Sequence, residues 1–262
     1  MILKDPSGEV ELSSKAATLI VTLPPGFPSA AAVEEALAWA GARLGRVSVA
    51  VVDTNGRLYG LDERSHYRSA SLVKAMLLVQ YLRLHPEPDA AMDDVLRLMI
   101  VESNNACADV VFGEVGQEGL QRLADRVGMR DFAPAPYWIS SQIAAADQAR
   151  FFLELESHVP RQRREFVREV LSGIVPLQRW GIIAASGPLG WETYFKAGWL
   201  NPNNQLAVQA AWLERGERRF SLAVLTDGNP DWAYGLSTIK GVAGILLGEE
   251  ATPAYLGQIL EP

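Results

Sequence analysis

Apolar and polar residues alternate along the chain in two ways, one typical of amphipathic helices and one typical of buried strands. The segment AAAVEEALAWAGARLG follows Ser29 and has the spacing of a helix that ends at Gly45, with Ser29 as its N-cap. Two runs rich in β-branched and aromatic residues then flank Asn55-Gly56, a dipeptide that favours a tight hairpin turn. The first part of the chain is therefore predicted to form one helix and two antiparallel strands.

A long helical region and a second group of strands follow. The pattern is helical from about residue 89 to about residue 171, with an interruption at DFAPAPYWISS. The segments ETYFKAGWL, QLAVQAAWLE and RRFSLAVLTDG predict three strands, and WAYGLSTIKGVAGILLG predicts a last helix. Strands from both chain ends must then join in one five-stranded antiparallel sheet, with an all-helical lobe inserted between them in sequence. This arrangement predicts an α+β fold, and the cleft between the sheet and the helical lobe is suited to a functional site.

The chain is predicted to consist of an N-terminal extension, residues 1–28, and one domain, residues 29–262. The sheet lobe is expected to take about 29–68 and 175–262, and the helical lobe about 69–174. The extension closes with LPPGFPS after a short β-like piece. Its most apolar run, AATLIVTL, is shorter than a membrane span and follows no basic segment, so we expect neither a transmembrane segment nor an export signal in this chain.

Composition narrows the classes of partner and cofactor. The 262 residues, 48% of them hydrophobic, suffice for a large core, and the net charge of −7 gives no basic surface for nucleic acid. The single cysteine, Cys107, excludes an internal disulfide and is expected to be a buried structural thiol. The histidines, His66, His85 and His158, lack metal-ligand spacing, so no metal or other cofactor is expected.

The apolar run YRSASLVKAMLLVQYL predicts a helix that begins at Ser71 and contains one lysine, Lys74, a single helical turn after that serine. Burial disfavours the ammonium form, so we expect the pKa of Lys74 to fall towards a value at which it accepts a proton. A serine is a weak nucleophile until a neighbouring base removes its proton, and this pair supplies both groups. The alternative is a helix-capping serine beside a lysine with a buried stem. Ser237 and Lys240 repeat the same spacing.

Two further motifs distinguish Ser71 from Ser237. MIVESNNACADVV contains Ser103 and Asn105 in a Ser-x-Asn arrangement, and Lys196 begins a Lys-Ala-Gly sequence on a predicted strand. The elements SLVK, SNN and KAG resemble, in the same order, the Ser-x-x-Lys, Ser-Asp-Asn and Lys-Thr-Gly motifs of the penicillin-recognising serine acyltransferases, in particular the class A β-lactamase-related serine hydrolases. The similarity covers roughly residues 30 to 248, since the predicted elements also follow that fold.

The resemblance implies a role for each motif residue. Ser71 would attack the substrate carbonyl, Lys74 would take its proton, and Ser103 would relay a proton to the leaving nitrogen. Asn105 would hold Lys74 or the substrate amide, and Lys196 would place positive charge beside Ser103 and attract a substrate carboxylate. Ser103 acting only as a helix N-cap, and Lys196 as a solvated strand lysine, are the alternatives.

The third motif would also bind substrate through Ala197, Gly198 and Trp199. The oxyanion hole would combine the backbone N–H groups of Ser71 and Trp199. Gly198 forming a β-bulge is the structural alternative for that position.

Three positions depart from the family pattern. Asn104 replaces the usual aspartate, at a position that points away from the chemistry. Ala197 replaces a hydroxyl-bearing residue, which should weaken carboxylate binding by about 1 kcal/mol. The loop MRDFAPAPYWISS lacks the glutamate that activates water in class A β-lactamases, and Asp131 is its only carboxylate. Fast deacylation is therefore not expected.

The resemblance therefore implies a serine hydrolase that acts through an acyl-enzyme on β-lactams or acyl-D-alanyl peptidoglycan-type substrates. One alternative is a penicillin-binding D,D-peptidase or esterase. Another is a non-catalytic cell-wall binding module that retains the fold. The resemblance also implies an extracytoplasmic location, a small-molecule or peptidoglycan-derived partner, and a monomer.

Overall fold

A computed structural model describes residues 28–200 and 205–248, together with the backbone of three short strands before them. These strands form a small antiparallel sheet in the order β1-β2-β3: β1 Leu3–Lys4, β2 Val10–Ser14 and β3 Ala17–Val21. Residues 249–262, which the sequence assigns to the end of the domain, lie outside the described residues, as do residues 201–204.

The remaining helices and strands follow one another from residue 30 to residue 247. In chain order they are α1 Ala30–Gly41, β4 Arg46–Asp53, β5 Leu58–Leu61, β6 Tyr67–Arg68, α2 Lys74–Leu84, α3 Ala90–Val101, α4 Asn105–Arg126, β7 Gln142–Ile143, α5 Ala145–Leu153, α6 Arg164–Ser172, α7 Ile182–Ser186, β8 Glu192–Leu200, β9 Leu206–Arg215, β10 Arg218–Asp227 and α8 Trp232–Leu247. No helix in the described ranges is both long and apolar enough to cross a membrane.

The predicted five-stranded antiparallel sheet is confirmed. Its strand order is β5-β4-β10-β9-β8, so the two early strands and the three late strands join in one sheet where β4 pairs with β10, while α2 to α7 lie between them in sequence. Helix α5 packs on the face from which Ser221 donates a hydrogen bond to the Ala149 carbonyl, and α8 packs on the other face, where Gly235 approaches Ala207. Strand β8 is left at the edge of the sheet, beside the helical lobe.

Local geometry corrects three boundaries. Helix α1 begins after Ser29, whose hydroxyl accepts from the Ala32 amide as predicted, but it ends at Gly41 rather than at Gly45. Four residues instead of two separate β4 from β5, although the Asp53 amide still donates to the Arg57 carbonyl, and Gly56 adopts a φ of +74°.

The third correction concerns the start of α2. Helix α2 begins at Lys74, whereas the sequence places its start at Ser71. Ser71 instead lies in a 3₁₀ turn, Ala70–Val73, that precedes the helix.

Candidate active site

The turn that carries Ser71 is wound more tightly than an α-helix. The Leu72 amide donates to the Ser69 carbonyl at 3.0 Å, and Ala70 has a φ of +45°, which is costly for a residue with a Cβ atom. Residues three apart in a 3₁₀ turn lie one above the other, so Ser71 and Lys74 stay on one side of the chain. The Ser71 side chain is only 8% exposed, and its hydroxyl bonds to no described residue.

The loop that follows α4 holds this turn from one side. The Ser69 amide donates to the Ser141 carbonyl at 2.8 Å, and the Ser69 hydroxyl donates to the Trp138 carbonyl at 3.2 Å. The two short strands β6 and β7 pair directly beside these contacts. This support from 70 residues further along the chain explains how the strained conformation at Ala70 is maintained.

Strand β8 holds the turn from the other side. A Cβ atom built on Gly198 would lie 2.8 Å from the amide nitrogens of both Ser71 and Leu72, and 2.9 Å from the Ser69 carbonyl oxygen. All three are backbone atoms that cannot move aside as a flexible side chain would. Glycine at this position is what allows the edge strand to approach the Ser71 backbone closely.

Lys74 is fully buried, as the sequence predicts. Its ammonium donates to the Ser103 carbonyl at 2.6 Å, to the Asn105 side-chain oxygen at 2.7 Å and to the Ser103 hydroxyl at 3.2 Å. Burial lowers the pKa of Lys74 to about 7, although the nearby charges of Asp109 and Cys107 act in the opposite direction. A substantial fraction of this amine is therefore unprotonated at neutral pH.

The segment before α4 orients Ser103 and Asn105 towards this lysine. Asn104, not Ser103, is the N-cap of α4, because its side-chain oxygen accepts from the Cys107 amide at 3.0 Å. The alternative in which Ser103 acts only as a helix N-cap is therefore wrong. Asn104 makes the N-cap contact instead. Ser103 has a φ of +58°, and the bond from Lys74 to its carbonyl oxygen helps to fix that conformation.

Lys196 reaches the same serine from β8. It is fully buried, and its ammonium donates to the Ser103 hydroxyl at 3.1 Å and to the Ala197 carbonyl at 3.0 Å. Burial, reinforced by the charge of Lys74, lowers the pKa of Lys196 well below its usual value. Within the described residues, no carboxylate lies at ion-pair distance from either lysine. The alternative in which Lys196 is a solvated strand lysine is therefore wrong. Lys196 and Lys74 instead both donate to the hydroxyl of Ser103.

Trp138 and Asp109 complete the surroundings of Lys74. The fully buried Trp138 ring has its centroid 4.8 Å from the Lys74 nitrogen, and its indole N–H donates to the Asp109 carboxylate at 2.7 Å. Sequence reasoning missed Asp109, which follows Asn105 by one helical turn. That spacing is the signal by which it could have been found.

Asp131, the only carboxylate of the loop MRDFAPAPYWISS, bonds to residues outside the candidate site. Both Asp131 oxygens accept from the Arg64 guanidinium, at 3.0 and 3.1 Å, and its amide donates to Asp147. The Cys107 thiol is partly buried and packs against the core, and burial raises its pKa, as fits a structural thiol.

The remaining motif residues lie on the same edge strand. Ala197 is buried, and its partner across the sheet is Gln209, whereas Trp199 is partly exposed and contacts Trp180 and Trp232. The second Ser-x-x-Lys match is a helix-surface feature of α8: the Ser237 hydroxyl accepts from Arg43 and donates to the Tyr234 carbonyl.

This fold is that of the β-lactamases. Solved structures with the same fold include β-lactamases from Sphaerobacter thermophilus (18% identity, TM-score 0.71) and Chitinophaga pinensis (13%, 0.72), and a class A β-lactamase from Mycobacterium abscessus (16%, 0.69). The alignments cover 85, 84 and 84% of this chain and 98, 99 and 100% of those chains, respectively.

The sequence itself gives the family. The beta-lactamase enzyme family matches residues 83–248, and the chain therefore belongs to it. The matched range contains Ser103, Asn105 and Lys196 and begins after Lys74. No curated protein sequence matches the chain. The protein is thus a β-lactamase-family hydrolase.

Proposed function

We propose that the protein is a serine hydrolase that forms an acyl-enzyme at Ser71. The observation that carries this proposal is Lys74, a fully buried lysine with a pKa of about 7, one turn from a serine hydroxyl that bonds to no described residue. A neutral amine has two N–H groups and one lone pair. Donation to the Ser103 carbonyl and to Asn105 uses both N–H groups, which leaves the lone pair to accept the Ser71 proton.

Ser103 is proposed to deliver that proton to the leaving group. Once Lys74 has taken the Ser71 proton, its third N–H donates to the Ser103 oxygen, which also accepts from Lys196, so the Ser103 proton is available to a third atom in the cleft. The backbone N–H groups of Ser71 and Trp199 are proposed as the oxyanion hole, an assignment that the close approach of Gly198 to the Ser71 amide supports.

The surroundings of Lys74 favour slow hydrolysis of the acyl-enzyme formed with a β-lactam. The buried Trp138 ring covers Lys74 on the side of the loop that lacks a glutamate, and Asp109 is hydrogen-bonded to that ring. The same observation makes a D,D-peptidase or esterase the second candidate function. In such an enzyme, the acyl-enzyme is attacked from the side that the leaving group has vacated. A non-catalytic module is disfavoured, because two buried lysines for which the described residues supply no carboxylate partner cost stability.

β-Lactams or acyl-D-alanyl compounds are proposed as substrate class, in an extracytoplasmic setting and with a monomeric protein. The absence of a hydroxyl at Ala197 is expected to weaken recognition of the substrate carboxylate. Family membership supports the substrate class, and the site geometry supports the acyl-enzyme chemistry.

Incubation with benzylpenicillin is expected to add the mass of the intact drug to the protein, because Ser71 opens the ring and the loop MRDFAPAPYWISS lacks a glutamate that would activate water for release. Intact-protein mass spectrometry measures the adduct, and absorbance measures drug loss in solution. A lasting adduct with slow drug loss supports the proposal. Rapid catalytic drug loss without an adduct would contradict slow deacylation, and neither adduct nor drug loss would contradict β-lactam chemistry.

The acylation rate is expected to rise with pH through about 7 and to level off above it, since only the neutral form of Lys74 accepts a proton. Asp109 raises the pKa of Lys74, so Asp109→Asn should lower that pKa and move the rise to lower pH, by less than about one unit for an exposed carboxylate. Stopped-flow acylation measured across pH tests this shift. Glu118→Gln, which neutralises an exposed carboxylate further along α4, should leave the profile unchanged; an unshifted Asp109→Asn profile would argue against Lys74 as the base.

A further inference from the structure

Three tryptophans meet where β8 leaves the proposed site. Trp180 precedes α7, Trp199 lies on β8, and Trp232 is the first residue of α8. The ring centroids are 5.5 Å apart for Trp180–Trp232, 6.1 Å for Trp199–Trp232 and 6.3 Å for Trp180–Trp199, with interplanar angles between 52° and 80°. All three are partly exposed, so the cluster presents aromatic surface to solvent.

This cluster is continuous with the proposed site. Trp199 directly follows Gly198, which lies against the Ser71 amide. Alternation along a strand places Ala197 and Trp199 on one face of β8, and Gln209, opposite Ala197, donates to the Trp180 carbonyl. The Lys196 side chain, which bonds to Ser103, lies on the opposite face of the strand, so the cluster adjoins the Ser71 turn through the backbone of Gly198.

The charges beside the cluster do not favour a carboxylate. Arg179, next to Trp180, donates from its guanidinium to the Ser172 carbonyl at the end of α6. Asp231, next to Trp232, is negative and accepts from the Tyr234 amide. Ala197 contributes no hydroxyl. A neutral aromatic group fits this surface better than an anion, because it adds edge-to-face ring contacts without a desolvated charge.

We propose that the tryptophan cluster binds a neutral aromatic leaving group, so that the esterase named above as the second candidate function prefers aryl esters without a carboxylate to carboxylated ones. This inference rests on the proposed acyl-enzyme at Ser71. The Ser71 oxygen bonds to the ester carbonyl carbon, the bond to the phenolic oxygen breaks, and the proton taken from Ser71 passes to the phenol. Water then cleaves the acyl-Ser71 ester and releases the carboxylic acid.

Two chromogenic esters with the same acyl group test the charge preference: 4-nitrophenyl acetate, and 3-carboxy-4-nitrophenyl acetate, which adds one carboxylate. After division by the rate of each ester with hydroxide, wild-type kcat/KM is expected to favour the neutral ester by about five-fold or more. Equal or greater preference for the carboxylated ester would overturn the proposal.

Substitutions at Trp232 test the cluster itself. Trp232→Leu is expected to raise KM for the neutral ester roughly five-fold with little change in kcat, and Trp232→Phe should restore most of the affinity. An unchanged KM in a folded Trp232→Leu protein, checked by thermal melting, would overturn the proposal, as would a Phe variant no better than Leu. If Ser71→Ala hydrolyses the esters as fast as wild type, the proposed acyl-enzyme at Ser71 is wrong. This outcome is distinguishable from a failure of the tryptophan-cluster proposal alone.

Discussion

Ser71→Ala is expected to abolish the covalent adduct and to reduce hydrolysis by at least about 10³-fold, since alanine leaves no oxygen to attack the carbonyl. The side chain is 8% exposed and its hydroxyl bonds to no described residue, so its loss leaves no buried partner unsatisfied. Stability is therefore expected to change little. Intact-protein mass spectrometry, ester turnover and thermal melting measure the three effects together.

The chain offers its own matched control for this substitution. Ser237 occupies the other Ser-x-x-Lys match, on the surface of α8, where its hydroxyl bonds to Arg43 and to the Tyr234 carbonyl. Ser237→Ala should retain the adduct and the turnover. If both variants kept the adduct, Ser71 would not be the nucleophile; if both lost it, general damage to the fold would be the explanation.

Gly198→Ala is expected to slow acylation by about 100-fold or more, because the added Cβ must displace backbone. Three backbone atoms of the Ser71 turn lie 2.8–2.9 Å from the position of that carbon, and a shift of about 1 Å in a reacting group can cost this much rate. The same overlap should lower the free energy of unfolding by about 1–3 kcal/mol. Acylation kinetics and denaturant unfolding measure both quantities.

Gly113→Ala is the control for adding a methyl group. Gly113 lies within α4, and a Cβ atom there would meet no other atom within 4 Å. This variant should acylate normally and be as stable as wild type, or more stable by up to about 1 kcal/mol, since alanine is the better helix former. Normal acylation by Gly198→Ala would show that β8 does not need to approach the Ser71 turn so closely.

Lys74 connects the strain in the site to its chemistry. It bonds to the carbonyl of Ser103, whose backbone has a positive φ, and it also bonds to Asn105 at the start of α4. Lys74 is thus buried at a position where its pKa is lowered and where it also holds Ser103 in a strained conformation. Lys74 variants are consequently expected to alter both the position of Ser103 and the acylation rate.

Much of the fold follows from local sequence pattern. The predicted span of β8, residues 192–200, is the one observed, and the cap at Ser29 is confirmed, because alternation and capping depend on neighbouring residues. The start of α2 could not be predicted in this way. Ala70 takes a positive φ because Ser141 and Gly198, both distant in sequence, pack against the turn before the helix.

The sequence by itself determined the five-stranded sheet, the buried Lys74 one turn after Ser71, and the three motifs in their order, since spacing and apolar periodicity encode each of these. Only the tertiary structure decided that one Ser103 hydroxyl is shared by Lys74 and Lys196, that Trp138 covers Lys74, and that three tryptophans adjoin Gly198. The physical reason is that these contacts join elements up to 93 residues apart, and their distances depend on how the helical lobe packs against the edge strand.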